Sequence, residues 1–156
     1  MLTIRDAEIV DIPMLSEYWY DNMALLQQLN PRVRLLPDAR QQWEVAMRQI
    51  ITMPDVIFLV AANESELLGC IVGRIAPNQP GLAPQFIGVI DNLILDLHSQ
   101  KQKGAGRELL QAAKNRFIDH DITQLQVTAA AQAAVAQAFW LGMGAKKSDE
   151  VFWMML

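Results

Sequence analysis

The sequence predicts a mixed α/β fold, in which helices flank one central sheet. Apolar runs rich in β-branched residues fill the middle of the chain, whereas apolar stripes at helical spacing precede and follow them. The short polar connection at residues 63–66 predicts an antiparallel hairpin. Strand-then-helix units after residues 97 and 128 predict a parallel element in the second half.

The first third of the chain predicts one strand and two helices. Residues 2–7 are typical of a short strand, and Asp11 is expected to cap a helix with Pro13 in its first turn. Asn30-Pro31 ends this helix, and a second helix follows Pro37-Asp38. Their apolar stripes are predicted to be core: Ile12, Leu15, Trp19, Met23 and Leu26 in the first helix, and Trp43, Ala46, Met47 and Ile50 in the second.

The rest of the chain alternates strands and helices. Val56 to Ala62 and Leu67 to Ile75 are predicted to form the hairpin, and residues 77–84 form a loop that either borders an acceptor pocket or simply connects two strands. The later predicted elements are a strand at 86–97, a helix at 107–118, a strand at 123–128, an alanine-rich helix ending at Leu141, and a strand at 151–156 that closes the sheet.

Composition is typical of a small enzyme that forms a single domain over residues 1–156. Hydrophobic residues make up 52% of the chain and charged residues 19%, so no segment is expected to be disordered. A net charge of −4 argues against general binding to nucleic acid or to an anionic membrane, and suits a cationic acceptor. No apolar run reaches about 18 residues, the length of a membrane span. We expect a cytoplasmic protein.

The cysteine and histidines do not predict a reactive thiol or a metal site. Cys70 is the one cysteine, which excludes an internal disulfide, and its apolar surroundings favour a core role over a catalytic one. His98 and His120 have no acidic or cysteine cluster at ligand spacing, so no metal is expected. Both histidines are expected at the surface, although His98 precedes a glycine loop and could contact phosphate.

That glycine loop is the strongest chemical signal in the sequence. It lies between the strand at 86–97 and the following helix, and its glycines allow the backbone to approach a ligand closely. The free N–H groups and the dipole of a helix N-terminus favour a phosphate there. A helix start with ordinary solvated basic residues is the alternative. The predicted phosphate-binding residues are Lys101, Gln102, Lys103, Gly104, Ala105, Gly106 and Arg107.

The loop and its surroundings resemble the GNAT superfamily of N-acetyltransferases. The family's Gln/Arg-x-x-Gly-x-Gly/Ala loop matches Lys101 to Gly106, with lysine in the first position. Ile90-Asp91-Asn92-Leu93-Ile94-Leu95 resembles the family's preceding strand. Leu2 to Ala7 is similar to its first strand, and Ala136 to Gly144 to its late helix.

This resemblance implies a fold, a cofactor and a reaction. The fold would have an antiparallel first half and then two splayed parallel strands that hold the pantetheine arm of acetyl-CoA. Main-chain groups of Leu93, Ile94 and Leu95 would bind that arm. The acetyl group would pass directly to a primary amine, on a small molecule or a peptide, in a ternary complex. Homodimers are common in such families, and the sequence does not decide this point.

The resemblance also suggests catalytic residues, with one departure from the family. Asp91 lies where many members carry a glutamate, and it is the candidate general base or amine anchor; the alternative is an aspartate that only lines the pocket. Trp140 occupies the position of the usual tyrosine acid, and Ala133 that of an asparagine. An indole N–H donates a hydrogen bond but does not titrate as an acid. The thiolate would then leave unaided, or Tyr18 or Tyr20 would supply the proton.

Two other functions stay open at this point. The replacements at Ala133 and Trp140 allow a CoA-binding sensor or interaction module with weak or no catalysis. An unrelated nucleotide-binding α/β protein would share only the glycine loop. The sequence lacks both a Walker motif and the three-glycine dinucleotide fingerprint, which disfavours this last class.

Overall fold

The computed structural model describes residues 1–99 and 103–156 and contains a five-stranded mixed sheet with helices on both faces. The strands lie in the order β1-β2-β3-β4-β5. Successive strands from β1 to β4 are antiparallel, whereas β5 runs parallel to β4. The strand bounds are Leu2–Asp6 for β1, Val56–Asn63 for β2, Glu66–Pro77 for β3, Phe86–Leu95 for β4 and Leu125–Val127 for β5.

Four α-helices in residues 1–99 and 103–156 cover the sheet. Helix α1 (Ile12–Leu29), which a short 3₁₀ turn at Ile9–Asp11 precedes, and helix α2 (Ala39–Ile50) pack on one face. Helix α3 (Ala105–Asp119) packs on the other face, and residues of helix α4 (Ala134–Gly142) contact the same core cluster. No helix in the described part of the chain is long and apolar enough to cross a membrane.

The core has two layers, one on each face of the sheet. Alternate side chains of β2 enter opposite layers, as strand geometry requires. The α1/α2 layer contains Ile12, Leu15, Trp43, Met47, Phe58, Val60, Cys70, Val72 and Ile94. The α3 layer contains Ile57, Leu59, Ala61, Ile71, Ile90, Leu109, Ala113 and Phe117, among others.

The predicted hairpin and helical stripes agree with this architecture. Strands β2 and β3 pair from Asn63–Glu66 onward, and Glu64 adopts a left-handed φ of 60° in the turn between them. Trp43 and Met47 of the second stripe are buried, although Ala46 faces solvent. Burial of these apolar faces is the main favourable contribution to stability.

Strands β4 and β5 touch over a short length only. Gly88 to Ile90 of β4 pair with Leu125 to Val127, and helix α3 makes the connection between the two strands. A Cβ on Gly88 would lie 2.8 Å from a ring carbon of Phe117, so glycine is what lets β4 approach α3 here. Beyond Ile90, β4 continues to Leu95 without β5 beside it.

The predicted closing strand at Val151–Leu156 is wrong. These residues have no strand structure, and Phe152 and Met154 are 87% and 81% exposed. A strand exists only where a neighbour satisfies its backbone groups, so β-rich composition alone did not suffice. In the described structure β5 is the edge of the sheet.

Asp11 also has a role different from the predicted helix cap. Its side chain makes no capping bond to α1; it accepts hydrogen bonds from the Glu8 backbone N–H at 2.8 Å and from Arg5 at 2.8 and 3.0 Å. Asp11 is only 5% exposed. This carboxylate therefore joins β1 to the chain that leads into α1.

Candidate functional site

A β-bulge interrupts β4 at Asp91. On the neighbouring strand β3, Val72 pairs with Asn92 whereas the next residue, Gly73, pairs with Ile90. Asp91 is therefore the extra residue of the bulge. Bulges bend a strand, re-aim its side chains and occur frequently next to active sites.

The bulge switches the faces of the sheet that β4 side chains occupy. In a regular strand, Ile90 and Ile94 would lie on the same face. Here Ile90 packs in the α3 layer, whereas Ile94 packs in the α1/α2 layer. Leu93 and Leu95 correspondingly pack against the α3 layer. The bulge thus places Asn92 on the α1/α2 side.

Asp91 is held on that same side by Arg74 of β3. Arg74 Nε donates a hydrogen bond to Asp91 Oδ2 at 3.0 Å, and the two side chains are 50% and 39% exposed. A Cβ on Gly73 would point at Phe117 of α3, so the adjacent Arg74 projects to the opposite face. Asp91 and Asn92, although consecutive, therefore both face the α1/α2 side.

Asn92 connects the bulge to helix α2. Trp43 Nε1 donates a hydrogen bond to Asn92 Oδ1 at 3.2 Å, and Asn92 Nδ2 donates to the Asp91 carbonyl at 2.6 Å. The Trp43 ring stacks on Trp19 of α1, with centroids 5.6 Å apart and planes at 15°. Both helices therefore contribute to the immediate surroundings of the bulge.

The outer edge of β4 is open from the bulge onward. Among the described residues, no strand pairs with that edge between Asp91 and Leu95. Pairing with β5 ends at Ile90 and Val127, where β5 itself ends; the splay that the family resemblance implied stays a prediction. Ile94 is buried, and Leu93 and Leu95 are half-buried. The side chains of these three residues therefore pack in the core, although the residues lie on an edge that no strand covers. One carbonyl there, that of Leu95, accepts a hydrogen bond from Asn22 Nδ2 of α1 at 2.9 Å.

The open edge leads toward the N-terminus of α3. Gly104 is the N-cap and has a φ of 83°, a left-handed conformation that side chains other than glycine rarely adopt. Its carbonyl accepts the first helical hydrogen bond, from Glu108 N–H at 3.1 Å. The N–H groups of Ala105, Gly106 and Arg107 are therefore among those without a partner inside the helix.

The structure describes some of the predicted phosphate-binding residues of the glycine loop and not others. Lys103, Gly104 and Arg107 are exposed, whereas Ala105 and Gly106 are buried. Lys101 and Gln102, which the sequence also assigned to the phosphate site, lie outside the described residues. The described part of the site thus has helix N–H groups without partners inside the helix, beside exposed cationic side chains.

Helix α4 contacts the beginning of α3. A Cβ on Gly106 would lie 3.6 Å from the Phe139 ring and 3.5 Å from Leu95, at ordinary contact distance. Trp140 is half-buried, packs against the α3 layer and meets the Phe139 ring edge to face at 5.1 Å. Trp140 is therefore next to a residue that borders the loop; a catalytic role for it stays a prediction.

The Tyr18 side chain forms a structural hydrogen bond near the end of β4. Its hydroxyl donates a hydrogen bond to the Leu67 carbonyl at 2.9 Å. Burial, followed by the nearby negative charge of Asp96, raises the pKa of Tyr18 to about 12. A phenol with this pKa keeps its proton at neutral pH and transfers it reluctantly.

A groove of about 340 Å³ opens between α1 and α2, and we name it the tryptophan groove. Apolar side chains dominate its lining, among them Trp19, Met23, Val33, Leu36 and Trp43. Arg34 also lines it, and none of the described lining residues is acidic. Trp43 lines the groove and bonds to Asn92, so this one side chain joins the groove to the bulge.

A second cavity, of about 250 Å³, has acidic residues in its lining. Glu17 and Asp21 of α1 line it together with Arg40 and His98. Arg40 lies 3.6 Å from Glu17, and His98 lies 3.5 Å from Asp21. His98 belongs to the segment that follows β4, so this cavity lies toward the glycine loop and not at the bulge.

The sequence predicted that Cys70 is not catalytic and that the protein holds no metal. Cys70 is completely buried, and burial, followed by the charge of Asp11, raises the pKa of its thiol. It is therefore unsuited to act as a nucleophile. Within residues 1–99 and 103–156, no group of His, Cys, Asp and Glu could hold a metal ion.

Sequence reasoning missed three side chains of the site, namely Arg74, Trp43 and Trp19. Trp43 and Trp19 were assigned only to core stripes. The signal in Trp43 was its polar atom, since a buried indole N–H needs an acceptor. The signal in Arg74 was a charge within an apolar strand. Neither feature predicts which residue Trp43 or Arg74 contacts, because both contacts depend on the β-bulge and no sequence pattern predicts that bulge.

Solved structures of low sequence identity share this fold. A transcriptional regulator from Bacillus halodurans C-125 superposes with a TM-score of 0.79 at 23% identity, covering 100% of both chains. An aminoglycoside antibiotic 6'-N-acetyltransferase, AAC(6')-IG, from Acinetobacter haemolyticus gives 0.76 at 14% identity, covering 99% of this chain and 97% of its own. A predicted acetyltransferase with acetyl-CoA, from Clostridium acetobutylicum, gives 0.73 at 15% identity, with 100% and 96% coverage.

The family itself is shown by sequence. No curated protein matches the chain. A family profile described as an acetyltransferase (GNAT) domain, however, matches residues 37–153, a span that includes the β4 bulge, the glycine loop and α3. The chain belongs to the GNAT family of acetyltransferases, whose members use acetyl-CoA.

Proposed function

We propose that the protein transfers an acetyl group from acetyl-CoA to a primary amine, directly and in a ternary complex. The observation that carries this proposal is the continuity of the site. The open edge of β4 begins at the bulge, beside Asp91 and Asn92, and runs toward the N-terminus of α3. One end suits an acceptor and the other suits a phosphate.

The residues of the cofactor end fit acetyl-CoA. The N–H groups of Ala105, Gly106 and Arg107, which have no partner inside the helix, suit a pyrophosphate together with the helix dipole. Gly104 leaves room beside them, whereas the Cβ side of Gly106 faces Leu95 and Phe139 at ordinary contact distance. Lys103 and Arg107 supply positive charge. By the sequence prediction, Lys101 and Gln102 belong to the same cradle. In a strand, the main-chain groups of successive residues point to opposite edges, and the Asp96 N–H bonds to the Leu68 carbonyl of β3. The groups of Leu93 and Leu95 therefore face the free edge and would bond the pantetheine amides, whereas those of Ile94 face β3, contrary to the sequence prediction. Acetyl-CoA supplies the acetyl group as a thioester.

Asp91 is the proposed base or amine anchor. An amine is protonated at neutral pH and must lose a proton before it attacks a carbonyl. The Asp91 carboxylate can accept that proton, directly or through water, because it lies exposed at the bulge. Arg74 fixes the orientation of the carboxylate through one oxygen, so the other oxygen stays available.

The acid at the leaving-group end is the weakest part of the site. Trp140 can only donate a hydrogen bond, and the Tyr18 hydroxyl is bound to Leu67. We infer that neither Trp140 nor Tyr18 acts as a strong general acid, so the thiolate leaves with hydrogen-bond assistance at most or takes a proton from Tyr20, which is 41% exposed on α1. Loss of a general acid costs about 10²–10⁴-fold in rate, which slows transfer without preventing it.

The same observations favour one alternative, a CoA-binding module with little or no catalysis. It would keep the loop, the open edge and α3, and it would not need Asp91. The engaged Tyr18 and the tryptophan at position 140 are the observations on its side.

Two measurements decide between the functions. The first is a thermal melt with acetyl-CoA, CoA, ATP and NAD in parallel. A ligand at 100 times its Kd adds about 2.7 kcal/mol, a rise of roughly 5–10 °C for a chain of this size. The second is release of free CoA with a panel of primary amines. Stabilisation by acetyl-CoA with amine-dependent release supports the enzyme, whereas stabilisation without release supports the binding module. Stabilisation by ATP or NAD alone contradicts both.

A further inference from the structure

The tryptophan groove is linked to the bulge through Trp43. Trp43 both lines the groove and donates its indole N–H to Asn92, so this one side chain lies between the groove and the bulge. We infer that the acceptor is a primary amine attached to an apolar, aromatic body and carrying no second positive charge. This inference rests on the proposed function, because it names the substrate class of the same site.

The lining of the groove favours an apolar body. Trp19 and Trp43 stack nearly parallel, which fixes both rings, and Trp19 is half-buried whereas Trp43 is almost wholly buried. Rigid aromatic rings contribute a large contact area with little loss of side-chain entropy on binding. Leu36, 57% exposed at the edge of the groove, adds apolar surface that a bound molecule would cover.

The charge of the groove disfavours a polycation. Arg34 is its charged lining residue, and within the described part of the chain Arg34 makes no ion pair. A second ammonium group would therefore meet a positive charge and find no carboxylate in the groove. The one carboxylate at the bulge, Asp91, is already paired with Arg74 and can neutralise one ammonium group at most.

The acidic cavity near the glycine loop does not offer a better amine site. Its carboxylates, Glu17 and Asp21, already lie near Arg40 and His98. It also lies on the loop side of the molecule, away from the bulge, whereas the reacting amine must approach the acetyl group. The two cavities are therefore different, and the tryptophan groove is the one that Trp43 joins to the bulge.

The test compares acceptors that differ in body and charge. We would measure kcat/KM at saturating acetyl-CoA for 2-phenylethylamine and tryptamine, for ethanolamine, and for the polycations spermidine and kanamycin. We expect the two aromatic monoamines to exceed the other three by at least about 10-fold, the ratio that 1.4 kcal/mol of binding produces. A higher kcat/KM for kanamycin or spermidine would overturn the inference and leave the proposed function standing.

Matched variants locate the effect in the groove. Leu36→Glu places a carboxylate in the lining, and Leu25→Glu makes the same change on α1 outside it; the parent leucines are 57% and 49% exposed, so both variants should fold. We expect Leu36→Glu to lower kcat/KM for 2-phenylethylamine at least fivefold with acetyl-CoA affinity unchanged, and Leu25→Glu to change neither. Equal effects of the two variants would contradict the groove assignment.

A binding measurement separates failure of the inference from failure of the proposed function. Quenching of tryptophan fluorescence by 2-phenylethylamine is measured in the presence of CoA, for the parent chain and Leu36→Glu. Saturable quenching that weakens in Leu36→Glu supports the groove even if no amine is acetylated, in which case the proposed catalysis is wrong. Absence of such quenching, together with no preference in turnover, overturns the inference.

Discussion

The indole N–H of Trp43 donates a hydrogen bond to Asn92 Oδ1 at 3.2 Å, across 49 residues of sequence. This contact attaches helix α2 to the strand residue that the bulge turns toward it. It also joins the core stripe of α2 to the proposed acceptor end of the site. This one hydrogen bond thus links the packing of α2 on the sheet to the position of Asn92 in the site.

A double-mutant cycle on Trp43→Phe and Asn92→Ser should reveal this bond. Phenylalanine keeps an aromatic ring against Trp19 but removes the donor, and serine shortens the acceptor. We expect a coupling energy of about 1 kcal/mol in the free energy of unfolding, the usual contribution of a neutral hydrogen bond. Urea denaturation measures it. The same cycle with Asp55→Asn in place of Asn92→Ser should give a value near zero; equal coupling in both cycles would contradict a specific bond.

Gly104 should tolerate neither bulk nor negative charge if α3 holds the pyrophosphate. We expect Gly104→Glu to abolish acetyl-CoA binding and Gly104→Gln, of equal size but neutral, to weaken it less. Both variants carry a backbone cost of roughly 1–2 kcal/mol, because the position has positive φ. Gly81→Glu is the matched control, since Gly81 has a φ of 85° and open space around it but lies in the loop before β4. Calorimetry should show an unchanged Kd of acetyl-CoA for Gly81→Glu. An unchanged Kd for Gly104→Glu would show that the glycine loop does not bind the cofactor.

Asp91→Asn should lower turnover much more than cofactor affinity. The asparagine oxygen can still accept the bond from Arg74, so the bulge keeps its geometry while the base is lost. We expect kcat to fall by about 10²–10⁴-fold, the contribution of a general base, with the Kd of acetyl-CoA within twofold. Asp55→Asn removes the same charge from another exposed position and should leave both unchanged. A parallel loss of affinity and turnover in Asp91→Asn would withdraw the base assignment.

Asp11 should make the stability of the fold sensitive to acid. Burial alone would raise the pKa of Asp11, but the hydrogen bonds from Arg5 and from the Glu8 N–H outweigh it, and the pKa lies below its ordinary value of 3.8. A carboxyl whose pKa is lowered by folding stabilises the protein above its unfolded pKa, and this contribution is lost as the pH falls through the folded pKa.

Denaturation at several pH values checks the role of Asp11. We expect Asp11→Asn to lower the free energy of unfolding at pH 7 by about 1.5–3 kcal/mol, the range for hydrogen bonds to a charged group. The variant should then lose less stability than the parent between about pH 5 and pH 2. Glu64→Gln, in an exposed turn, should leave the acid response of the parent intact. An identical acid response in Asp11→Asn and the parent would show that other carboxyls dominate.

Cys70 should be inert toward thiol reagents in the folded protein. The side chain is fully buried and its pKa is raised, so thiolate is scarce and unreachable. With Ellman's reagent at pH 7.5, we expect no labelling until guanidinium is added and one thiol per chain afterwards. Cys70→Ala should retain the kcat of the parent, as direct transfer requires. Rapid labelling of the native protein, or loss of turnover in Cys70→Ala, would reopen the possibility of an acyl-enzyme.

The order of strands and helices could be predicted because it depends on local patterns. Apolar stripes gave α1, α2 and α3, and alternating or apolar β-rich runs gave the hairpin of β2 and β3. The glycine loop was predicted from its place between a strand and a helix, and Gly104 indeed adopts positive φ at the cap. The strand predicted at 151–156 failed because pairing depends on a neighbour, which composition does not supply.

The sequence by itself determined the fold class, the family resemblance and the loop, because each is encoded in spacing along a few adjacent residues. Only the tertiary structure decided that Asp91 is a bulge residue, that Arg74 holds it and that Trp43 reaches Asn92. These contacts depend on the register between β3 and β4, and a shift of one residue exchanges the two faces of a strand. Register is a property of two strands packed together, so neither strand's sequence specifies it alone.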